Sequence, residues 1–205
     1  MDQPKNSMLL DLQRGRCSWI AGYGAVAALC KEISARRVCE IGVAYGYHAE
    51  SLLGALELDL YLGVDPYEPN YDPEDSFSRD VEDLFRGKEG APFDMLYQAV
   101  AQRLTNSGNG IATLLRLKSC EAASLIKDAT FDLVYIDGDH RPHAVYDDIC
   151  NWVPKVRKGG IICGDDVRWP GTEKMLIQVS REFGYEIKLL EWNGQHEKWF
   201  FSKTD

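Results

Sequence analysis

Short apolar runs that end in glycine or aspartate alternate with stretches of helical spacing along most of the chain. Residues 17–35 (CSWIAGYGAVAALCKEISA) repeat apolar side chains every three or four positions and predict a helix. RRVCEIGV (36–43) follows as a first strand, YHAESLLGALE (47–57) as a helix and LYLGVD (60–65) as a second strand. A helical pattern over 92–106 leads to IATLLRL (111–117), and the short helix SCEAASLI to FDLVYID (131–137). HAVYDDICNWVPKV (143–156) is helical until Pro154, GGIICGDD (159–166) is a fifth strand and TEKMLIQVSREFG (172–184) a helix closed by Gly184. YEIKLLEW (185–192) and EKWFFSK (197–203) then form a hairpin around Asn-Gly.

Strands that alternate with helices predict an α/β fold, a doubly wound, Rossmann-like sheet of seven strands. It is mostly parallel, and the terminal hairpin makes its last part antiparallel. The chain of 205 residues suits one domain, 1–205, with an N-terminal helical segment (1–35) and an insertion at 66–90. That insertion holds three prolines and many acids, with one short helix near 77–86, and reads as a surface loop or a lid.

Composition narrows the partners. A net charge of −9 with no basic stripe argues against nucleic acid and against an anionic membrane surface. No secretory leader and no membrane-spanning run are evident, so a cytoplasmic protein is expected. The six scattered cysteines lack metal or redox spacing and read as reduced thiols. Exposed apolar helix faces near the N-terminus leave room for a homodimer.

The candidate chemistry sits at strand ends. In open sheets of this kind ligands gather beyond the carboxyl ends of the strands. Glu40 and Gly42 end the first strand and Gly46 opens the next helix; Asp65 ends the second strand, where an acid can bind ribose hydroxyls. The spacing is E-x-G-x-x-x-G, not the G-x-G-x-x-G of a dinucleotide site, so a nicotinamide oxidoreductase is disfavoured. Asp137, Asp139 and His140 end the fourth strand, and Asp165 and Asp166 the fifth. Three carboxylates at 137, 165 and 166 repel one another and ask for protons or a hard cation. A phosphatase reading of D-G-D ranks last, since that pair belongs on a first strand.

With these residues the chain resembles the class I S-adenosylmethionine-dependent methyltransferases, from about Arg37 to the hairpin. The resemblance makes Glu40-Ile-Gly-Val-Ala-Tyr-Gly46 the cofactor loop, Tyr45 included, and Asp65 the ribose acid. It places the adenine contact near Ser119, where many relatives have an Asp before the Ser and this chain has Lys118. The carboxylate end is similar to the divalent-metal-dependent O-methyltransferases of the catechol, caffeoyl-CoA and macrolide-sugar type. That likeness implies S-adenosylmethionine as cofactor, with Asp137 also beside it. It further implies Mg²⁺ or another divalent cation on Asp137, Asp165 and Asp166, and a small-molecule hydroxyl as methyl acceptor. His140 stands where a base is proposed in the sugar-modifying branch, with Asp139 as the other proton acceptor. The segment also resembles a broad D-G-D-H methyltransferase group, with Pro142 in place of that group's aromatic residue. A metal-independent transferase and a non-catalytic cofactor-binding domain stand as alternatives. Trp169 is a candidate wall of the acceptor site, while Trp192 and Trp199 read as structural.

Overall fold

The computed structural model describes residues 9–11, 13–14, 22–71, 76–192 and 195–204. Cys17, the first turns of the helix expected over 17–35, the Asn193-Gly194 turn and residues 72–75 of the acidic insertion lie outside these.

Seven strands form one sheet: β1 (Arg37–Ile41), β2 (Leu60–Val64), β3 (Ala112–Leu115), β4 (Phe131–Ile136), β5 (Val156–Gly164), β6 (Lys188–Trp192) and β7 (Gln195–Ser202). Their order is β3-β2-β1-β4-β5-β7-β6. The pairs from β3 to β5 are parallel, and β7 runs antiparallel to both β5 and β6. The expected fold class is the observed one. β1 and β4 are buried along nearly their whole length because helices cover both faces, which is why they read as unbroken apolar runs.

One face packs α1 (Gly24–Glu32), α2 (Tyr47–Ala55) and α4 (Pro92–Ser107) on Val38, Tyr61, Leu133 and Tyr135. The other packs α5 (Ser119–Leu125), α6 (Pro142–Trp152) and α7 (Thr172–Phe183) on Cys39, Ile41, Val134 and Ile136. α3 (Phe77–Leu84) lies in the acidic insertion as the short helix expected there. Pro at the start of α4 and of α6 suits a first helical turn, where its missing N–H has no partner to lose. No helix among the described residues is long and apolar enough to cross a membrane.

Two boundaries differ from the pattern. The helix expected over 143–156 ends at Trp152 and passes into a 3₁₀ turn, Val153–Lys155, because Pro154 cannot continue the α ladder. β5 begins at Val156, ahead of the glycine pair. Phe131 faces Val156 but Leu133 already faces Ile161, so residues 157–160 bulge opposite a single residue of β4.

Candidate active site

The strand order reverses between β1 and β4, and the crevice beyond their carboxyl ends is the switch point of the sheet. A cavity of about 380 Å³ opens there. Glu40, Gly42, Tyr45, Asp65, Ser119, Asp137, Asp139, His140, Asp165 and Asp166 all line it, so residues up to 126 positions apart in sequence meet in one hollow.

The glycine loop owes its residues to protein contacts as much as to any ligand. Gly42 has φ +86°, and a side chain there would overlap the carbonyl of Asp137. The two central strands close on each other at this point, and only a residue without Cβ lets them. Gly46 (φ +75°) would set a Cβ 2.8 Å from Val100 of α4, so its smallness serves helix packing. Asp65 secures the loop between them. Its Oδ2 accepts from the N–H groups of Val43 (3.0 Å) and Ala44 (2.9 Å), and its Oδ1 from that of Tyr67 (2.8 Å). Burial pushes this carboxyl above its ordinary range, against the pull of those three bonds.

Below the loop Glu40 is buried, accepts a hydrogen bond from the Tyr61 hydroxyl, and has Oε1 3.3 Å from His48 Nδ1. The His48 ring sits between Tyr23 and Tyr135, with centroids 4.8 and 4.6 Å away.

At the carboxylate end the structure answers the charge problem with a residue outside the expected set. Lys198 of β7, 6% exposed, pairs with Asp165 Oδ2 and donates to the Tyr135 hydroxyl at 3.1 Å. That hydroxyl lies 2.9 Å from Asp137 Oδ2 and 3.2 Å from Asp165 Oδ2. Burial pulls the Lys198 pKa down, but Asp165 and Asp137 outweigh it and hold the ammonium above its ordinary value. Burial and the neighbouring Asp165 raise Asp137. Trp199, fully buried and expected to be structural, donates its indole N–H to the Asp165 carbonyl at 3.1 Å.

Of the three acids expected to hold a metal, Asp137, Asp165 and Asp166, one is engaged elsewhere. Asp165 is turned to Lys198, and among the described residues the group close enough to hold an ion is Asp137, His140 and Asp166, with one atom from each within 4.8 Å of the others. His140 Nε2 is 3.2 Å from Asp166 Oδ2 and 4.0 Å from Asp137 Oδ1, and its ring lies 5.2 Å from that of Trp169. Asp139 departs from the expectation of a base. Its carboxylate is 6% exposed and takes the Arg141 backbone N–H (3.0 Å) and guanidinium (2.9 Å). Burial pushes it up, but Arg141 wins and holds it below the usual carboxylate range, where it is a poor proton acceptor.

Ser119 opens α5 with its hydroxyl donated to Asp148 Oδ1, and Trp152 Nε1 donates to Ser119 Oγ at 2.8 Å. Sequence reasoning missed Asp148, yet a signal was present: Val145, Ile149 and Trp152 mark the buried face of α6, and position 148 lies on it. For Lys198 the signal was weaker, a lone cation on a strand whose register beside β5 had to be known.

A family model for a methyltransferase domain matches residues 39–167. Among solved structures, a candidate caffeoyl-CoA O-methyltransferase from Staphylococcus aureus aligns at TM-score 0.63 and 13% identity, covering 97% of this chain and 99% of its own. Cofactor-bound Rv0187 from MTB aligns at TM-score 0.67 and 17% identity, covering 99% and 88%. A candidate O-methyltransferase from Klebsiella pneumoniae aligns at TM-score 0.61 and 20% identity, covering 89% and 80%. At these identities the structural likeness speaks to the fold. No curated protein matches the sequence.

Proposed function

Because this chain belongs to the methyltransferase-domain family, whose model spans residues 39–167, we propose that it is an S-adenosylmethionine-dependent enzyme that methylates a hydroxyl of a small molecule. The observation that carries the reading is the cavity at the β1/β4 switch point, which is lined together by residues 42–45, Asp65 and the Asp137–His140 segment.

The residues present fit that cofactor. The hollow has the size of a small-molecule site, and its walls are carboxylates and aromatic rings suited to a cationic nucleoside. S-adenosylmethionine, when bound, supplies a methyl group on a positively charged sulfur. Asp65 fixes the loop through Val43 and Ala44, and one lone pair of Oδ1 is left for a ribose hydroxyl. Glu40, Gly42, Tyr45 and Asp137 surround the methionine end and Ser119 the base end, while Gly46, expected at the cofactor, lies outside the cavity lining and faces Val100. His140 takes the proton of the acceptor hydroxyl, and Asp166, whose Oδ2 lies 3.2 Å from Nε2, stabilises the imidazolium. Positioning of donor and acceptor for in-line transfer supplies much of the remaining acceleration.

Titration calorimetry with S-adenosylhomocysteine tests the reading: micromolar binding is expected, and no heat at high micromolar ligand overturns it. Once an acceptor is in hand, His140→Ala should lower kcat by about 10²–10⁴-fold and leave cofactor affinity within about twofold.

A divalent cation belongs to the finer form of this proposal. Asp137 and Asp166 would hold it, with His140 at their side, and it would lower the pKa of a bound hydroxyl. A metal-free reading is favoured by Lys198, which already brings positive charge to Asp165. Calorimetry with Mn²⁺ separates the two. Binding that Asp166→Ala abolishes selects the metal; absence of binding at millimolar Mn²⁺ selects the resident ammonium.

A further inference from the structure

α6 carries a carboxylate that the reading above leaves without a task. Asp148 is 8% exposed and lines the cavity beside Ser119. Trp152 donates to Ser119, and Ser119 donates to Asp148 Oδ1, so two consecutive hydrogen bonds fix the carboxylate's direction. No other donor of the described residues reaches it. The charged groups that act on it are Asp139 and Asp147, both acids. One hydroxyl is little compensation for a carboxylate so deeply placed, and like charges worsen the deficit. The second oxygen therefore seeks an N–H or O–H from outside the protein.

Its place in the fold says which one. An acid at the end of the second strand takes ribose hydroxyls in sheets of this kind, and Asp65 holds that position. The base of the same nucleoside must then lie further along the cavity, between the start of α5 and the first turns of α6. Ser119, Asp148 and Tyr71 line that part. The Tyr71 hydroxyl is raised to about 12, first by burial and next by Asp148 and Asp139, which line the same cavity. Adenine presents one strong donor on its edge, the exocyclic amine.

Resting on the S-adenosylmethionine reading, we propose that Asp148, held by Ser119, accepts the exocyclic amine of adenine and sets the base specificity of the cofactor site. Lys118, at the position before Ser119, cannot do this: it is a donor only, and its ammonium is engaged with Glu68 at 3.5 Å. The acceptor that is lacking after β3 is supplied instead from the helix after β4.

The test compares S-adenosylhomocysteine with S-inosylhomocysteine, whose base carries an oxygen in place of the amine. By calorimetry the unaltered protein should prefer the adenosyl compound by about ten- to a hundredfold, the value of one hydrogen bond to a charged group. Asp148→Asn, nearly isosteric, should erase that preference or turn it toward the inosyl compound, since the amide can donate to a 6-oxo group. Ser119→Ala should reduce the preference partially by releasing the carboxylate. Equal affinity for both ligands in the unaltered protein, or a preference untouched by Asp148→Asn in a protein with an intact melting transition, overturns the assignment of Asp148 alone. Failure to bind S-adenosylhomocysteine at all removes the cofactor reading, and this inference with it.

Discussion

A methyl group added at Gly42 would stand inside the carbonyl of Asp137, in a backbone conformation of φ +86° that side chains rarely adopt. Overpacking costs about 1–3 kcal/mol and the strained φ/ψ about as much again. Gly42→Ala should therefore lose about 2–6 kcal/mol, read as a lower melting temperature, and should weaken S-adenosylhomocysteine in the fraction that folds. An unchanged melt would contradict the close approach of β1 and β4. Position alone made Gly42, Asp65 and Asp137 legible, because each ends an apolar run. What each residue touches was not legible, since contacts across strands depend on a register that no local window contains. Asp139 shows the same limit. Its spacing suited a base, and only the fold of its own loop onto Arg141 makes it an anchored anion.

Among the elements, β7 shows how far a strand's role exceeds its pattern. Its aromatic residues announce a strand, and the antiparallel pairing of Gly164 with Trp199 then carries Lys198 beside Asp165. Lys198→Met removes the ammonium from two partly buried carboxylates. Breaking such a pair costs about 3–5 kcal/mol, so the variant should melt earlier, and raised salt should restore little of it because the site is shielded. A melt within experimental error of the parent would mean that protons already neutralise the cluster. The bulge at 157–160 was equally hidden. Its glycines suggested an entry to the strand, whereas pairing with β4 places them inside it.

Over the whole molecule, stability should follow pH in a sense opposite to that of a salt-bridged acid. Burial lifts Asp148 to about 7, while an unfolded aspartate titrates near about 3.9. The folded state thus holds a proton that the unfolded state releases. Asp148's contribution is complete below about pH 4 and is lost as pH rises through about 7. The ligand-free protein should melt at a lower temperature at about pH 8 than at about pH 5, and Asp148→Asn should flatten that slope. A slope unchanged in the variant would assign it to other groups. The order of strands was readable to the level of fold class, because alternation and the closing hairpin leave few topologies open. The surplus of acids over bases at the crevice emerges only when distant strand ends are brought together.

The arrangement also has a timetable. The ammonium that steadies Asp165 comes 33 residues later, on the last strand in chain order. Synthesis delivers the five parallel strands first, so a growing chain can align them while its crevice still carries mutually repelling anions. Arrival of the hairpin relieves that repulsion by setting Lys198 behind Asp165, so competence to hold a ligand should be a late acquisition in the life of each molecule.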